Sequence, residues 1–171
     1  MTLAAPFRKA ALSMHVVSSV GWMGAVAAFL ALAIVGLTSD DGSVVRSSYV
    51  AMDLTTRYVI VPLAVAALVT GLVQSLGTSW GLFRHYWVVV KLVVTVVAIA
   101  VLVLQVATIS DLAAAASSGS IAADDLREDR VSLVLHAGVG LLVLAVPLVL
   151  SIYKPRGVTA YGRRRTTAQA E

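Results

Sequence analysis

Residues 87–109 read WVVVKLVVTVVAIAVLVLQVATI, and this stretch decides the class of fold. Lys91 is the one charged residue in it. A membrane-spanning α-helix needs about 20 mostly apolar residues to cross the hydrocarbon core of a bilayer. The stretch meets that length, so we expect a transmembrane helix here.

Three more apolar stretches of comparable length cover residues 10–37, 49–76 and 131–152. In the whole chain, 59% of the 171 residues are apolar and 13% are charged. The mean hydropathy is +0.92, which leaves too few polar residues to coat a water-soluble domain. The sequence therefore predicts an all-α, up-down-up-down bundle of four transmembrane helices that forms one domain, residues 1–171, in the plasma membrane.

The side of the membrane follows from the basic residues, because Lys and Arg are retained on the cytoplasmic face. Eight lie at one end of the predicted bundle: Arg8, Lys9, Arg84, Lys154, Arg156 and Arg163 to Arg165. Three lie at the other: Arg46, Arg127 and Arg130. We therefore predict that both termini are cytoplasmic, with Asp124 and Asp125 at the outer side favouring the start of the fourth helix ahead of Val131.

The tail, residues 153–171, is basic and follows the last predicted span directly. Such a segment suits the headgroups of anionic lipids, at about 1 kcal/mol per basic residue. The basic residues flank apolar helices, so they indicate membrane orientation and not nucleic-acid binding. The predicted partners are the lipid bilayer and, at the tail, anionic lipids.

Several kinds of enzyme have no support in the sequence. The chain contains no cysteine, which excludes disulfides, iron–sulfur clusters and cysteine nucleophiles. Neither a phosphate-binding lysine loop, nor a zinc-protease helix motif, nor a serine elbow is present. The sequence therefore favours a protein without catalytic activity.

Polar residues within or beside the spans are the candidate functional residues, because a charge at the bilayer centre costs about 2.5–3.5 kcal/mol and needs a partner. A rise of 1.5 Å per residue in helices of alternating direction sorts them into two levels. Predicted at the cytoplasmic level are His15, Gln74, His85 and Lys91. Predicted at the outer level are Asp53, Arg57, Gln105 and His136.

His15 lies on the first span and His85 just before the third, and two imidazoles that face each other across these helices would suit the axial positions of a b-type haem. The alternative, which we favour, is structural. His15 would hydrogen-bond a serine or a carbonyl, and His85 would belong to an interfacial belt with Tyr86 and Trp87.

The remaining polar residues have competing interpretations too. Lys91 could reach the cytoplasmic interface along its own stem or meet an anionic ligand inside the bundle. Asp53 and Arg57 are four residues apart, which predicts an ion pair on one helix face. Gln105 and His136 could extend that pair into a proton or ion relay, but no polar residues continue it through the middle of the membrane.

The first span contains His15, Trp22 and Gly24, and it resembles the opening helix of copper-resistance-D-like membrane proteins. Residues 71–77, 80–87 and 153–157 are similar to segments of uncharacterised actinobacterial membrane proteins, so that the likeness covers nearly the whole chain. The resemblance implies a four-helix protein of the plasma membrane and brings no established activity.

Copper(I) sites favour clusters of Met or Cys, and this chain has Met14, Met23 and Met52 within or beside its spans. Three functions compete for this chain, and we order them from most to least favoured. They are a scaffold or accessory subunit, a haem-binding electron carrier, and a copper or small-ion permease.

Overall fold

Long α-helices form at each of the four apolar stretches. The computed structural model describes residues 4–77, 81–119, 126–153 and 157–159. Its helices are α1 (Ala5–Thr38), α2 (Gly42–Leu76), α3 (Tyr86–Ser118) and α4 (Arg127–Tyr153). Each is long and apolar enough to cross a membrane, which confirms the prediction of an all-α bundle of four candidate transmembrane helices.

The four helices pack as a ring in which each contacts its two neighbours. α1 packs against α2 and α4, and α3 packs against the same two helices. The core takes side chains from all four helices, among them Trp22, Tyr49, Leu112 and Leu133. Apolar side chains also cover the outside of the bundle, as expected where lipid is the solvent.

The helices run past the predicted spans. α1 begins at Ala5, and α3 continues beyond Ile109 to Ser118, where Gly119 adopts a left-handed conformation (φ 82°). Such a glycine is a common end to a helix, because a side chain would be strained there. α4 is helical from Arg127, whereas Asp124 and Asp125 lie outside the described residues, as do 154–156 and 160–171 of the tail.

A π-helical turn, Thr56–Ile60, interrupts α2 just before Pro62. Proline lacks an N–H, and within an α-helix its ring clashes with the carbonyl four residues earlier, here that of Tyr58. A wider turn ahead of the proline relieves this crowding. The turn contains Arg57, so it sets the direction in which that side chain leaves the helix.

Arg130 joins three helices at the end of the bundle opposite the N-terminus. Its Nη2 donates a hydrogen bond to the carbonyl oxygen of Gly36 (2.7 Å), and its Nε donates to the Tyr49 hydroxyl (3.0 Å). The guanidinium carbon also lies 5.8 Å from the centre of the Tyr49 ring. We call Gly36, Tyr49 and Arg130 the Arg130 clamp, since it holds α1, α2 and α4 together.

A short backbone pairing connects residues 157–159 to the loop before α3. Val158 forms an antiparallel bridge with His85, and the backbone N–H of Thr159 donates to the carbonyl oxygen of Arg84 (3.0 Å). The N–H of Tyr86 donates to the carbonyl oxygen of Gly157 (3.4 Å). This part of the tail therefore folds back onto the bundle.

Asp41 caps the start of α2, and we expect its contribution to stability to depend on pH. Its carboxylate accepts hydrogen bonds from the Ser43 hydroxyl (2.7 Å) and the Ser43 N–H (2.8 Å). The hydroxyl first, and the N–H groups of Ser43 and Val44 after it, hold the pKa of Asp41 below its usual value. A lowered pKa gives stabilisation that is present at neutral pH and is lost as the pH falls through that pKa.

Asp41→Ala should therefore lower the Tm at pH 7, and the difference from the wild type should shrink as the pH is lowered below 4, about the usual pKa of aspartate. Circular dichroism of the detergent-solubilised protein measures this. Asp41→Asn is the control, because it keeps a capping oxygen without a titrating charge. A Tm difference between the alanine variant and the wild type that stays constant from neutral to acid pH would contradict the assignment.

Candidate functional site

The described residues form a cavity towards each end of the bundle. The first, which we call the basic cavity, has a volume of about 520 Å³ and is lined by residues of all four helices, including Arg8, His15, Gln74, Lys91 and Ser151. The second, which we call the Gln105 cavity, has a volume of about 350 Å³. The two share no described lining residue, and the buried Ser18 and Ala64 lie between them along α1 and α2.

Lys91 is the charged centre of the basic cavity. Its Nζ donates a hydrogen bond to the Ser151 hydroxyl (2.7 Å) and lies 5.6 Å from the centre of the Trp87 ring. Ser151 in turn donates to the carbonyl oxygen of Pro147 (2.7 Å). These contacts hold the ammonium group at the cavity wall, on the side formed by α3 and α4.

The basic cavity is positively charged. Arg8 and Lys9 of α1 line it together with Lys91, whereas none of its described lining residues is a carboxylate. The rest of the lining is largely apolar, with the exposed Leu12 and Val16 at its edge on α1. The cavity therefore combines a cationic part with an apolar wall that faces lipid.

His15 lies on the opposite wall and is held by α2. Its Nδ1 lies 3.1 Å from the carbonyl oxygen of Ala67, which can accept only, so Nδ1 carries the proton and donates it. The Thr70 hydroxyl, 3.2 Å from the same nitrogen, donates to the carbonyl oxygen of Ala66 (2.6 Å). Nε2 is then the nitrogen with a lone pair, available as an acceptor.

Gly71 allows the His15 ring to approach α2. A Cβ placed on Gly71 would lie 3.1 Å from Cε1 of His15, which is tighter than almost all contacts of real side chains. The close approach of the His15 ring to α2 at this point therefore depends on a residue without a side chain. This contact explains one of the small residues in the segment 71–77.

The structure does not bring His15 and His85 into one cavity. His85 directly precedes α3, where it is paired with Val158, and its ring centre is 6.4 Å from that of Trp87. It is not among the described residues that line the basic cavity. The bis-histidine haem site stays a prediction.

The Gln105 cavity contains the other pair of predicted polar residues. Gln105 and His136 both line it, with Thr56 and the rings of Trp22 and Phe29. The Nδ1 of His136 donates to the carbonyl oxygen of Ser132 (2.7 Å), and the Thr56 hydroxyl donates to that of Met52 (2.8 Å). The described lining residues include no Asp, Glu, Lys or Arg.

Asp53 and Arg57 form an ion pair that includes a third residue from α3. The Nε of Arg57 lies 2.9 Å from both carboxylate oxygens of Asp53, and its Nη2 donates to the Ser110 hydroxyl (2.7 Å). Ser110 lies 3.0 Å from Oδ1 of Asp53. Neither Asp53 nor Arg57 is a described lining residue of the Gln105 cavity, so the pair is separate from Gln105 and His136.

The methionines do not gather at one site. Met14 is exposed on the surface of α1, whereas Met52 is buried in the core. Among the described ranges, 4–77, 81–119, 126–153 and 157–159, no group of three or more His, Cys, Asp or Glu residues could hold a metal ion. The arrangement of these side chains therefore adds no support to the copper hypothesis.

Sequence reasoning missed three partners, Ser110, Ser151 and Arg130. Serine is common in spans, and nothing in the sequence distinguishes Ser110 or Ser151 from serines that bond their own helix. In the sequence, Arg130 stands out only as one of the three basic residues at the outer end. It directly precedes the predicted span 131–152, and this position beside the membrane was the available signal.

Comparison of the chain with protein-family models, curated proteins and solved structures finds no match. The function therefore has to be argued from the two cavities and their chemistry.

Proposed function

We propose that this protein is a non-catalytic component of the plasma membrane that binds an anionic amphiphile in the basic cavity. The observation that carries the proposal is the position of Lys91, held between Ser151 and the Trp87 ring in a cavity with two further cations. A carboxylate or phosphate head would lie near these cations, and an apolar chain would follow the wall towards lipid.

Electrostatics favours an anion in this cavity. Three basic side chains line the cavity and none of its described lining residues is a carboxylate, so an anionic group would meet opposite charge there. In the low-dielectric interior the attraction between a cation and an anionic head is stronger than in water. Arg8 and Lys9, near the start of α1, add charge at the same cavity.

The apolar wall favours an amphiphile over a small anion. Leu12 and Val16 are exposed and belong to the lining, so the cavity is bordered by a lipid-facing surface. A molecule that enters from the bilayer would keep its chain in contact with such side chains while its head reaches Lys91. A scaffold or accessory subunit that retains a particular lipid fits this arrangement, and the basic tail would add attraction for anionic lipids.

Competition between two lipids that differ in headgroup charge tests the proposal. The detergent-purified protein is equilibrated with equal amounts of phosphatidylglycerol and phosphatidylcholine with identical acyl chains, and the retained lipid is measured by native mass spectrometry. The wild type should retain the anionic lipid preferentially. Lys91→Met should lower that retention about tenfold, because a hydrogen bond to a charged group contributes about 1.5–3 kcal/mol.

Arg84→Met is the matched control for Lys91→Met. It removes one positive charge at the same end of the bundle, but Arg84 is not among the described lining residues. A parallel experiment with a fatty acid distinguishes a carboxylate head from a phosphate head. Equal retention of both phospholipids by the wild type, or an equal loss in the two variants, would refute the proposal.

A haem-binding electron carrier is the second candidate, and one observation favours it. Donation from Nδ1 to a backbone carbonyl is the arrangement that commonly orients a metal-binding imidazole, and it leaves Nε2 of His15 as the ligand atom. Among the described lining residues of the basic cavity, His15 is the one imidazole, so a second ligand would have to come from elsewhere.

An absorbance spectrum of protein expressed with a haem precursor decides this candidate. Because the cavity supplies one described imidazole, we expect no Soret band. A band at near-stoichiometric haem that disappears in His15→Ala would replace the lipid proposal with a membrane cytochrome. The copper or small-ion permease, and the resemblance to copper-resistance-D-like proteins, stay predictions without a supporting contact.

A further inference from the structure

Gln105 contains a buried polar atom that lacks a partner. Its Nε2 is shielded from solvent, and no described residue accepts a hydrogen bond from it. Buried donors are nearly always paired, so each exception needs an explanation. Gln105 lines the cavity named after it, which makes a molecule in that cavity the natural acceptor.

The shape of the Gln105 cavity indicates where such a molecule would enter. Trp22, Phe29 and Ile60, from α1 and α2, are buried and form the deep part of the lining. Val97, Val101 and Val139, from α3 and α4, line it too but are exposed. The mouth therefore lies between α3 and α4, on the apolar surface that faces lipid.

The lining also restricts the chemistry of the occupant. Without Asp, Glu, Lys or Arg among the described lining residues, a charged molecule would find no counter-charge. A pure hydrocarbon would leave the Gln105 donor unpaired. A lone water molecule could pair with Gln105, the Thr56 oxygen and Nε2 of His136, but its volume of about 30 Å³ would fill only a small part of the cavity.

We propose that the Gln105 cavity binds a neutral, lipid-soluble ring ketone of the quinone class, whose carbonyl oxygen accepts a hydrogen bond from Nε2 of Gln105. The volume of about 350 Å³ is in the range of small-molecule sites. The rings of Trp22 and Phe29 provide apolar and aromatic surface for a flat ring. This site is separate from the basic cavity. The binding of a quinone here does not require that the basic cavity bind an anionic amphiphile.

Quenching of tryptophan fluorescence tests the proposal in the detergent-purified protein. The probe is 2,3-dimethyl-1,4-naphthoquinone, and 2,3-dimethylnaphthalene, which has the same shape without carbonyl groups, is added as a competitor. We expect saturable quenching that is largely lost in Trp22→Phe and kept in Trp87→Phe. The affinity of 2,3-dimethylnaphthalene, measured from its displacement of the naphthoquinone, should be at least about tenfold lower than that of the naphthoquinone, because the hydrocarbon cannot accept the hydrogen bond.

Gln105→Leu separates a binding role from a structural one. The substitution removes the unpaired amide, so the Tm should not fall, while the affinity for the naphthoquinone should fall about tenfold. Gln74→Leu is the matched control, with the same substitution in the basic cavity, and should leave naphthoquinone affinity unchanged. Quenching that does not saturate, quenching that persists in Trp22→Phe, or equal naphthoquinone affinity in Gln105→Leu and the wild type would each overturn the proposal.

Discussion

Asp53→Leu should lower the free energy of unfolding by about 2–3 kcal/mol, because it leaves the Arg57 guanidinium without its carboxylate within a membrane-spanning helix. In the wild type, the carboxylate of Asp53 accepts two contacts of 2.9 Å from Nε of Arg57. The variant would retain the bond from Arg57 to Ser110, which does not neutralise the charge. Arg57 is 49% exposed, so we use the lower range of such penalties.

The double variant Asp53→Leu, Arg57→Leu should recover most of this loss, because both charges are then removed together. Thermal unfolding in lipid nanodiscs measures all three variants under the same conditions. Asp111→Leu provides the control, since Asp111 is an exposed acid one residue beyond Ser110 on α3. If the double variant were as unstable as Asp53→Leu alone, the ion pair would not be the source of the loss.

Gly36→Ala should destabilise the protein by about 1–3 kcal/mol through overpacking at the Arg130 clamp. The added Cβ would lie 2.9 Å from Cε2 and 3.1 Å from Cζ of Tyr49. Tyr49 is 1% exposed, so its ring has no open space into which it can move. Displacing it would also weaken the hydrogen bond that the Tyr49 hydroxyl accepts from Arg130.

Gly24→Ala is a control on the same helix with the same substitution. No atom lies within 4 Å of the position that its Cβ would occupy, so the Tm should stay the same or rise slightly. Circular dichroism melts of both variants in one detergent give the comparison. Equal Tm values for Gly36→Ala and Gly24→Ala would show that Tyr49 accommodates the methyl group and that the clamp is not tightly packed.

The fold could be predicted from the sequence because a transmembrane helix is identified by the length and composition of one continuous stretch of residues. A stretch such as 87–109 needs no partner to be identified, since its length and composition determine the solvent it requires. Some of the polar residues that the helical rise assigns to one level lie in a common cavity. His15, Gln74 and Lys91 line one cavity, while Gln105 and His136 line the other.

Contacts that depend on how each helix is rotated about its axis could not be predicted. Ser110 joins Asp53 and Arg57, and Ser151 meets Lys91, because α3 and α4 turn those faces towards their neighbours. Hydropathy does not encode that rotation, since the outer and inner faces of these helices are both apolar. The Arg130 clamp escaped prediction for the same reason, with partners 94 and 81 residues away in the sequence.

The bridge between Val158 and His85 has a consequence for experiments on sidedness. It brings residues 157–159 and the loop before α3 to one surface, and the antiparallel course of α1 and α2 brings the start of α1 to the same end. Impermeant labelling of a single introduced cysteine at any one of these three places therefore reports the compartment of all of them. Since the chain contains no native cysteine, such a label would have no competing thiol.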